Sequence, residues 1–380
     1  MQDMYDLPKP DRDQIVAILG VAMQAGTASP LSNGQLAIRR AGSLRIGDLK
    51  AMPGLMNALF RVCLLALLLS AIASSAALAA ARAYMPNSGD GSISVIDTST
   101  RAVIATIPTD SVASGIAISS DGLRVYVANV RGLLVIDAAT NKPVGQLDSP
   151  FSRAAAVSAD GTAVYLSGDS GFAAYDSTTL SFINGVSTVG ANNITLSPDG
   201  TRAYLSYPNF ALVAVNLNTW APGSPWSWTD CLHPVDAAVS PDGSSLRITC
   251  EMPSTFVTVN LATLMITDML PLQSAPSELA VSSDGSLAYI ATPAANAVVV
   301  VDTSGTPAVL DTISVGAAPS SLSLTKEGDQ LYVSNTLDNT VSVIDTATRN
   351  VIDTIAVGPA PRVHGDFIGP NEFLLLNGFE

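Results

Sequence analysis

The sequence predicts an all-β fold, a seven-bladed β-propeller with four-stranded antiparallel blades, closed by N- and C-terminal strands that share one blade. Three observations predict it: a recurring turn signature, short β-type runs at a fixed distance from each turn, and a period of roughly 42 residues. A single four-stranded blade cannot cover both of its faces, so several blades must pack around one axis to bury them.

The turn signature is an acidic residue followed by glycine, and a run of β-forming residues comes after each pair. The pairs begin at Asp121, Asp160, Asp199, Asp242, Asp284 and Glu327. Glycine accepts the positive φ of a tight hairpin turn, so each pair predicts a hairpin between two strands. The runs contain Tyr84, Tyr126, Tyr165, Tyr204, Arg247, Tyr289, Tyr332 and Leu374, spaced by 42, 39, 39, 43, 42, 43 and 42 residues. Seven intervals predict seven blades.

A second run in each period ends in Asp or Asn, often with Thr three residues later. These residues are Asp97, Asp137, Asp176, Asn216, Asn260, Asp302 and Asp345. An Asx side chain bonds the backbone a few residues on and opens a turn, so we interpret them as turn formers rather than catalytic carboxylates. The chain enters the first blade at its second strand and leaves the last period after a first strand, with a further apolar run at 373–376. This order predicts the shared, closing blade.

The segment before the propeller has the pattern of an export signal. Arg61 precedes an apolar run at 62–81, which ends in small residues suited to cleavage at 77–79 or 79–81. We therefore divide the chain into residues 1–51, a mis-called start or an unstructured extension, 52–81, a signal peptide, and 82–380, the propeller. The strongly apolar part, 62–73, is short for a membrane span. We expect a periplasmic, secreted or cell-surface protein with no membrane span in its mature form; a retained N-terminal anchor is the alternative.

The charge distribution bears on the partners. From Tyr84 onward the chain has 27 acidic residues against 10 Lys and Arg. This acidic part of the chain repels the phosphate backbone of nucleic acids, so we expect no nucleic-acid partner.

The repeat also resembles a known family. Tyr332-Val333-Ser334-Asn335 with the run at 339–348 resembles the YVTN-family β-propeller repeat, as do residues 126–129 and the glycine and proline at 316 and 319. The resemblance spans 84–377, but residues 165–179 lack the Asn, and 218–250 carry a Trp-rich insertion with Arg247 in place of Tyr. It implies an exported or surface-associated propeller, and it implies little about activity.

Two cysteines remain after the predicted signal. If the strands around residues 235–240 and 245–250 form a hairpin, Cys250 lies opposite residue 235 and Cys231 lies at the same end. Export permits oxidation, so we predict a Cys231–Cys250 disulfide. The alternative is two unrelated small core residues.

Aligning the innermost strands gives two rings of residues at one end of the axial channel. The first ring is Ser114, Arg153, Asn192, Val235, Ser277, Ser320 and Arg362. The second ring is Gly115, Ala154, Asn193, Asp236, Glu278, Ser321 and Val363, with His364 one step further. We predict a ligand site at this mouth from Arg153, Asn192, Asn193, Asp236, Glu278, Arg362 and His364. Two carboxylates facing two arginines can orient a small polar ligand, or they can form a self-neutralising, hydrated ring.

Trp220, Trp226 and Trp228 lie within nine residues of one another and predict a surface aromatic patch, or alternatively a cap on a hydrophobic edge. We expect no metal and no cofactor, since the chain has two histidines and no Cys-x-x-Cys.

The leading hypothesis for function is an exported, non-catalytic binding or scaffolding propeller, monomeric, whose partner is a protein or another envelope component. The alternative is a propeller enzyme of the lactonase or dehydrogenase-subunit type with its site at the channel mouth. A third hypothesis is a structural surface-layer component.

Overall fold

The computed structural model describes residues 81–149, 151–188, 190–207 and 211–369. The predicted extension, the signal peptide and the apolar run at 373–376 lie outside these residues. The described chain is almost entirely β, with one turn of 3-10 helix at Pro293–Ala295. Within it, no helix is both long enough and apolar enough to cross a membrane.

The strands form seven antiparallel sheets, which we number as blades 1 to 7 in chain order. Blade 1 contains β1 (Arg82–Asn87), β2 (Ser92–Asp97) and β3 (Ala102–Pro108); blade 2, β4 (Ala113–Ile118), β5 (Arg124–Asn129), β6 (Gly132–Asp137) and β7 (Lys142–Asp148); blade 3, β8 (Ser152–Val157), β9 (Ala163–Gly168), β10 (Gly171–Asp176) and β11 (Phe182–Val186); blade 4, β12 (Asn193–Leu196), β13 (Arg202–Tyr207), β14 (Ala211–Asn216) and β15 (Ala221–Pro222); blade 5, β16 (Leu232–Val239), β17 (Ser245–Met252), β18 (Thr255–Asn260) and β19 (Met265–Pro271); blade 6, β20 (Leu279–Val281), β21 (Leu287–Thr292), β22 (Ala297–Asp302) and β23 (Ala308–Ser314); blade 7, β24 (Pro319–Leu324), β25 (Gln330–Asn335), β26 (Thr340–Asp345) and β27 (Asn350–Ala356).

Blade 1 obtains its fourth, innermost strand from the C-terminal part of the chain. Residues 359–369, which we call the closing segment, run antiparallel to β1. The Tyr84 amide donates to the Phe367 carbonyl at 2.8 Å, and the Arg362 and Gly369 amides donate to the Pro86 and Arg82 carbonyls at 3.0 Å each. The predicted seven-bladed ring, with one blade shared by the two ends, is therefore confirmed.

The hairpin turns have the chemistry that the sequence predicts. At the first of them, Gly122 has a φ of 69°, and Asp121 Oδ1 accepts hydrogen bonds from the Leu123 amide and the Ser119 hydroxyl. The second set of Asx residues also caps turns: Asp345 Oδ1 accepts from the Thr348 amide at 2.7 Å. These bonds favour the ionised form and lower the pKa of Asp345 and of its counterparts. Both sets of aspartates are turn formers.

The tyrosine of each period links one blade to the next. Tyr84, Tyr126, Tyr204, Tyr289 and Tyr332 are all fully buried. The Tyr126 hydroxyl donates to the Ser177 carbonyl of the following blade at 2.9 Å, and Tyr332 reaches the Thr98 carbonyl at 3.3 Å. Arg247, which replaces tyrosine in blade 5, does the same with Nη2, 2.6 Å from the Gly285 carbonyl. The departure from the repeat thus keeps a hydrogen bond between blades.

The disulfide prediction is confirmed. Cys231 and Cys250 are bonded, with their Cα atoms 5.3 Å apart, and both are buried in the core between blades 4 and 5. The predicted register is off by one residue, because Cys250 pairs with Pro234 and a bulge follows at 234–236.

Candidate ligand site at the channel mouth

Two cavities lie along the axis that the innermost strands surround. The first, at the end where those strands begin, has a volume of about 440 Å³ and is lined by Ser114, Phe151, Arg153, Asn192, Arg362 and His364 among others. We call it the mouth cavity. The second has a volume of about 800 Å³ and is lined by residues further along the same strands. We call it the inner cavity.

The predicted site residues separate between these two cavities. Arg153, Asn192, Arg362 and His364 line the mouth cavity. Asn193, Asp236 and Glu278 line the inner cavity and are buried. The sequence grouped all seven at one mouth, whereas the structure brings together the four cationic or amide residues in one place and the two carboxylates with one amide in another.

Asp236 connects three consecutive blades. Its Oδ2 accepts a hydrogen bond from the Leu279 amide of blade 6 at 2.9 Å, and its Oδ1 accepts from the Ala237 amide at 2.8 Å. The side-chain amide of Asn193, on blade 4, also donates to Asp236 Oδ1. The innermost strand of a sheet has no further strand to bond, so this carboxylate takes the place of one.

Glu278 continues the same arrangement toward the closing blade. Its Oε2 accepts from the Leu322 amide of blade 7 at 3.1 Å, and its Oε1 accepts from the Gly365 amide of the closing segment at 3.0 Å. Ser321 then joins blade 7 to the closing segment: its hydroxyl donates to the Val363 carbonyl at 2.7 Å and accepts from the Val363 amide at 2.9 Å. We call Asn193, Asp236, Glu278 and Ser321 the bridging residues.

The protein around the inner cavity changes the acidity of its carboxyl groups. Burial raises the pKa of Asp236 to about 6, and it raises that of Glu278 well above the ordinary value, with the nearby Asp236 charge adding to the effect. Asp366 also lines the inner cavity, and desolvation by the surrounding protein raises the pKa of its carboxyl group. Both oxygens of Asp236 and of Glu278 are already engaged by backbone amides.

One of the two arginines of the mouth cavity has no partner among the described residues. Arg153 is committed: its Nη2 lies 2.8 Å from Asp169 Oδ1, and its Nη1 donates to Asn192 Oδ1 at 3.0 Å. The guanidinium of Arg362 is exposed and makes no hydrogen bond or ion pair with any residue that the structure describes. Its charge is therefore available to a ligand.

His364 lies in the same cavity as a neutral base. Burial and, to a smaller extent, the charge of Arg362 together lower the pKa of its imidazole to about 4. The ring is therefore uncharged at neutral pH, and no other described side chain hydrogen-bonds to it. Its position is fixed by the backbone, because the His364 amide donates to the Ser114 carbonyl at 3.1 Å and the His364 carbonyl accepts from the Ile116 amide at 2.9 Å.

An apolar rim, which was not among the residues predicted from the sequence, surrounds these polar groups. Val112, Val130 and Phe151 line the mouth cavity with exposed fractions of 43%, 49% and 57%. Val112 and Phe151 each stand two residues before a first-ring position. That spacing was a signal in the sequence, since the linkers leading to the innermost strands must lie at the same end of the channel.

The three tryptophans do not form one surface patch. Trp220 is half-buried and packs on Phe172, with the ring centroids 5.7 Å apart. Trp226 packs on Tyr204 at 5.9 Å and on Trp228 at 6.3 Å, in the core cluster that contains the disulfide. Trp226 also pairs with Leu212 of β14, so the insertion covers the outer side of blade 4.

Metal-binding groups are not assembled in the described part of the chain: it contains no set of three or more His, Cys, Asp or Glu residues placed to hold an ion. Of the two histidines, His233 lies 3.5 Å from Glu251, and His364 lies in the mouth cavity.

Comparison with known proteins bears on the fold. No protein-family model matches the sequence, and no curated relative matches it. A chain of Kuenenia stuttgartiensis hydrazine synthase is similar in structure, with a TM-score of 0.64 and 19% identity, over 70% of this chain and 92% of that chain. A functionally unknown protein from Desulfotomaculum acetoxidans DSM 771 has a TM-score of 0.65 and 16% identity, over 75% of this chain and 99% of that chain.

A third similar structure is dihydro-heme d1 dehydrogenase NirN in complex with DHE, with a TM-score of 0.55 and 18% identity, over 74% of this chain and 64% of that chain. At such identities the likeness shows the fold alone. The similar structures support the seven-bladed β-propeller, and membership of the YVTN family stays a prediction.

Proposed function

We propose that the protein is an exported, non-catalytic binding propeller that holds a partner of the cell envelope at the mouth cavity. The observation that carries the proposal is the guanidinium of Arg362, which has no hydrogen-bond or ion-pair partner among the described residues and lies in a cavity with an apolar rim. A cation without a partner beside exposed apolar side chains is the composition of a binding surface rather than of a solvated one.

The disulfide supports the exported location. Cys231 and Cys250 are both buried and bonded, and such bonds persist in oxidising compartments outside the cytoplasm. The pattern of a signal peptide at 52–81 points to the same location.

The enzymatic alternative has one observation in its favour, since hydrazine synthase and dihydro-heme d1 dehydrogenase are enzymes. Among the predicted site residues, the two carboxylates are Asp236 and Glu278, of which Glu278 is the one that the enzymatic alternative names. Both oxygens of each carboxylate accept hydrogen bonds from backbone amides, so the structure uses these two side chains to join the blades. Binding at the mouth therefore remains the better-supported function.

The test is capture of envelope proteins by the full, tagged chain and by its Arg362→Glu variant. We expect the variant to retain at least tenfold less of the captured partner, because it places a repulsive charge where the partner's anionic group lies. Lys142→Glu is the matched control, because Lys142 is exposed on an outer strand and the charge change is the same. Equal thermal midpoints confirm folding.

Capture that is unchanged by Arg362→Glu would contradict the proposal. The enzymatic alternative predicts instead that the purified protein turns over members of a lactone panel and that Glu278→Gln abolishes this turnover.

A further inference from the structure

We infer that the mouth cavity binds a carboxylate that is carried on an apolar or aromatic body. This inference rests on the proposed function, because it names the chemical group that occupies the same cavity.

The net charge of the mouth cavity comes from Arg362. Arg153 is neutralised by Asp169 at 2.8 Å, and His364 is neutral at neutral pH, so Arg362 contributes one uncompensated positive charge to the cavity. One charge matches a monoanion. A phosphate dianion would leave a charge without a partner. The planar fork of an arginine binds the two oxygens of a carboxylate through parallel hydrogen bonds.

Other side chains of the mouth cavity add hydrogen-bond donors to that charge. Asn192 accepts from Arg153 through Oδ1, which leaves its amide nitrogen as a donor. The neutral imidazole of His364 carries one N–H, and Ser114 contributes a hydroxyl. The imidazole and the hydroxyl also accept, but the guanidinium of Arg362 only donates, and with its N–H groups included the donors outnumber the acceptors at the wall of the cavity. An acceptor-only group such as a carboxylate fits that surplus.

Phe151 combines a positive φ with an exposed ring. Phe151, His233, Ala318 and Ala360 each stand two residues before a first-ring position, and each has a positive φ, between 51° and 61°. Two of these four left-handed positions hold alanine. A bulky aromatic residue there is strained, and its 57% exposure shows that packing in the core does not offset that strain. An apolar ligand body lying on the ring would offset it.

The volume of the mouth cavity limits the size of the ligand. At about 440 Å³ the cavity lies in the lower part of the range that small-molecule sites occupy. It has room for a carboxylate with one ring or a short chain. Two sources supply such a group: a free aryl or alkyl acid, and the C-terminal residue of a protein chain.

The test uses the two histidines of the chain as reporters in a ¹H–¹³C NMR titration of the full protein. The probes are N-acetyl-phenylalanine, its neutral amide, 3-phenylpropanoate and inorganic phosphate. We expect the two carboxylates to shift the ring signals of His364 and to leave those of His233 in place. We also expect the pKa of His364 to rise when a carboxylate is bound, because the ligand neutralises the charge of Arg362.

Two variants complete the test. Arg362→Gln should weaken carboxylate binding at least tenfold, and Phe151→Ala should weaken it severalfold, while Lys142→Gln should change nothing. Tighter binding of N-acetyl-phenylalanine than of 3-phenylpropanoate would assign the site to a chain terminus, and the reverse order would assign it to a free acid.

The inference is wrong if the neutral amide binds as well as the acid, if phosphate binds as tightly as the carboxylates, or if no probe shifts His364. If no probe binds although partner capture still depends on Arg362, the carboxylate inference fails and the proposed function stands. Capture that does not depend on Arg362 removes the proposed function itself.

Discussion

The ring of innermost strands is joined by different chemistry on its two sides. From blade 1 to blade 3 the backbones approach directly: the closing segment pairs with β4 at His364 and Gly115, and Gly115 lies against Ala154. From blade 4 to blade 7 and on to the closing segment, the bridging residues span the gaps instead. The same ring position is thus filled either by a residue small enough to allow contact or by a polar side chain that replaces it.

The comparison changes how the buried carboxylates are interpreted. In the aligned sequence, Asp236 and Glu278 stand out because most other second-ring residues are small or uncharged. Their contacts show why blades 4 to 7 need them: each satisfies amides of innermost strands that have no neighbouring strand to bond. Polar residues at a channel are therefore not by themselves evidence of a ligand, and the free Arg362 is the better indicator.

The largest expected effect comes from removing the bridge that reaches both blade 7 and the closing segment. Glu278→Ala leaves the Leu322 and Gly365 amides without acceptors, at about 1–3 kcal/mol each. We expect a loss of about 3 kcal/mol in the free energy of unfolding, measured by urea denaturation. Glu278→Gln should cost clearly less, because glutamine keeps one acceptor oxygen and buries no charge. Equal losses for the two variants would contradict this, because they would show that the one acceptor oxygen kept by glutamine contributes nothing to stability.

The direct-contact side can be tested with a single methyl group. A Cβ at Gly115 would lie 2.6 Å from the Cα of Ala154 and 2.8 Å from the Arg153 carbonyl oxygen, both backbone atoms that cannot turn away. We expect Gly115→Ala to lower the free energy of unfolding by about 2 kcal/mol, as overpacked sites do. At Gly305 no atom lies within 4 Å of the added Cβ, so Gly305→Ala is the matched control and should be neutral. A neutral Gly115→Ala would rule out direct contact on this side.

The bridging side should respond to pH where the direct-contact side does not. The pKa of Asp236 is raised to about 6 in the folded protein, so the native state holds a proton that the unfolded state releases between about pH 4 and 6. Ionised Asp236 therefore lowers stability as pH rises through this window. We expect Asp236→Asn to gain about 1–3 kcal/mol relative to the wild type on going from pH 5 to pH 8.

Other titrating groups oppose this trend, and their contributions cancel when the stability of the variant is compared with that of the wild type. The pKa of His364 is lowered, as is that of turn aspartates such as Asp242, which has a pKa of about 2. Their contribution to the stability of the fold decreases as pH falls, but these groups are present in both proteins. A difference between variant and wild type that is constant from pH 5 to pH 8 would contradict a raised pKa for Asp236.

The fold could be predicted from the sequence because its signals are local. A glycine that takes positive φ after Asp121 and an Asx residue that caps a turn at Asp345 act within a few residues. The first signal occurs six times in the chain and the second seven times. The disulfide followed from the same hairpin register. The YVTN-like Asn335 also has local partners, since its side-chain amide donates to the Thr340 hydroxyl at 3.0 Å and to the Ser342 hydroxyl at 2.8 Å.

The candidate site could be predicted only in part, because alignment gives a residue's height along the axis and not the direction of its side chain. Bulges interrupt the innermost strands where they begin, as at 113–115, 152–154 and 234–236. A bulge re-aims the side chains on either side of it. The first-ring residues Arg153 and Asn192 line the mouth cavity and the second-ring residue Asp236 lines the inner cavity, in the order of the alignment. His364 departs from that order, because it follows the second ring in the alignment and yet lines the mouth cavity.

The smallest effect is expected at the shortest bridge. Ser321→Ala removes one hydroxyl, which leaves the Val363 amide without its acceptor and the Val363 carbonyl without its donor. Loss of these two hydrogen bonds between neutral groups costs about 1–2 kcal/mol in total, so we expect a small fall in the urea midpoint with an unchanged slope. Because this bond attaches the closing segment to blade 7, hydrogen exchange should accelerate at the Val363 amide more than at Tyr332, which lies in the core of the same blade. Equal acceleration at both amides would mean that Ser321 contributes to the whole ring, and the bridging side would then have to be regarded as one cooperative unit instead of four separate links.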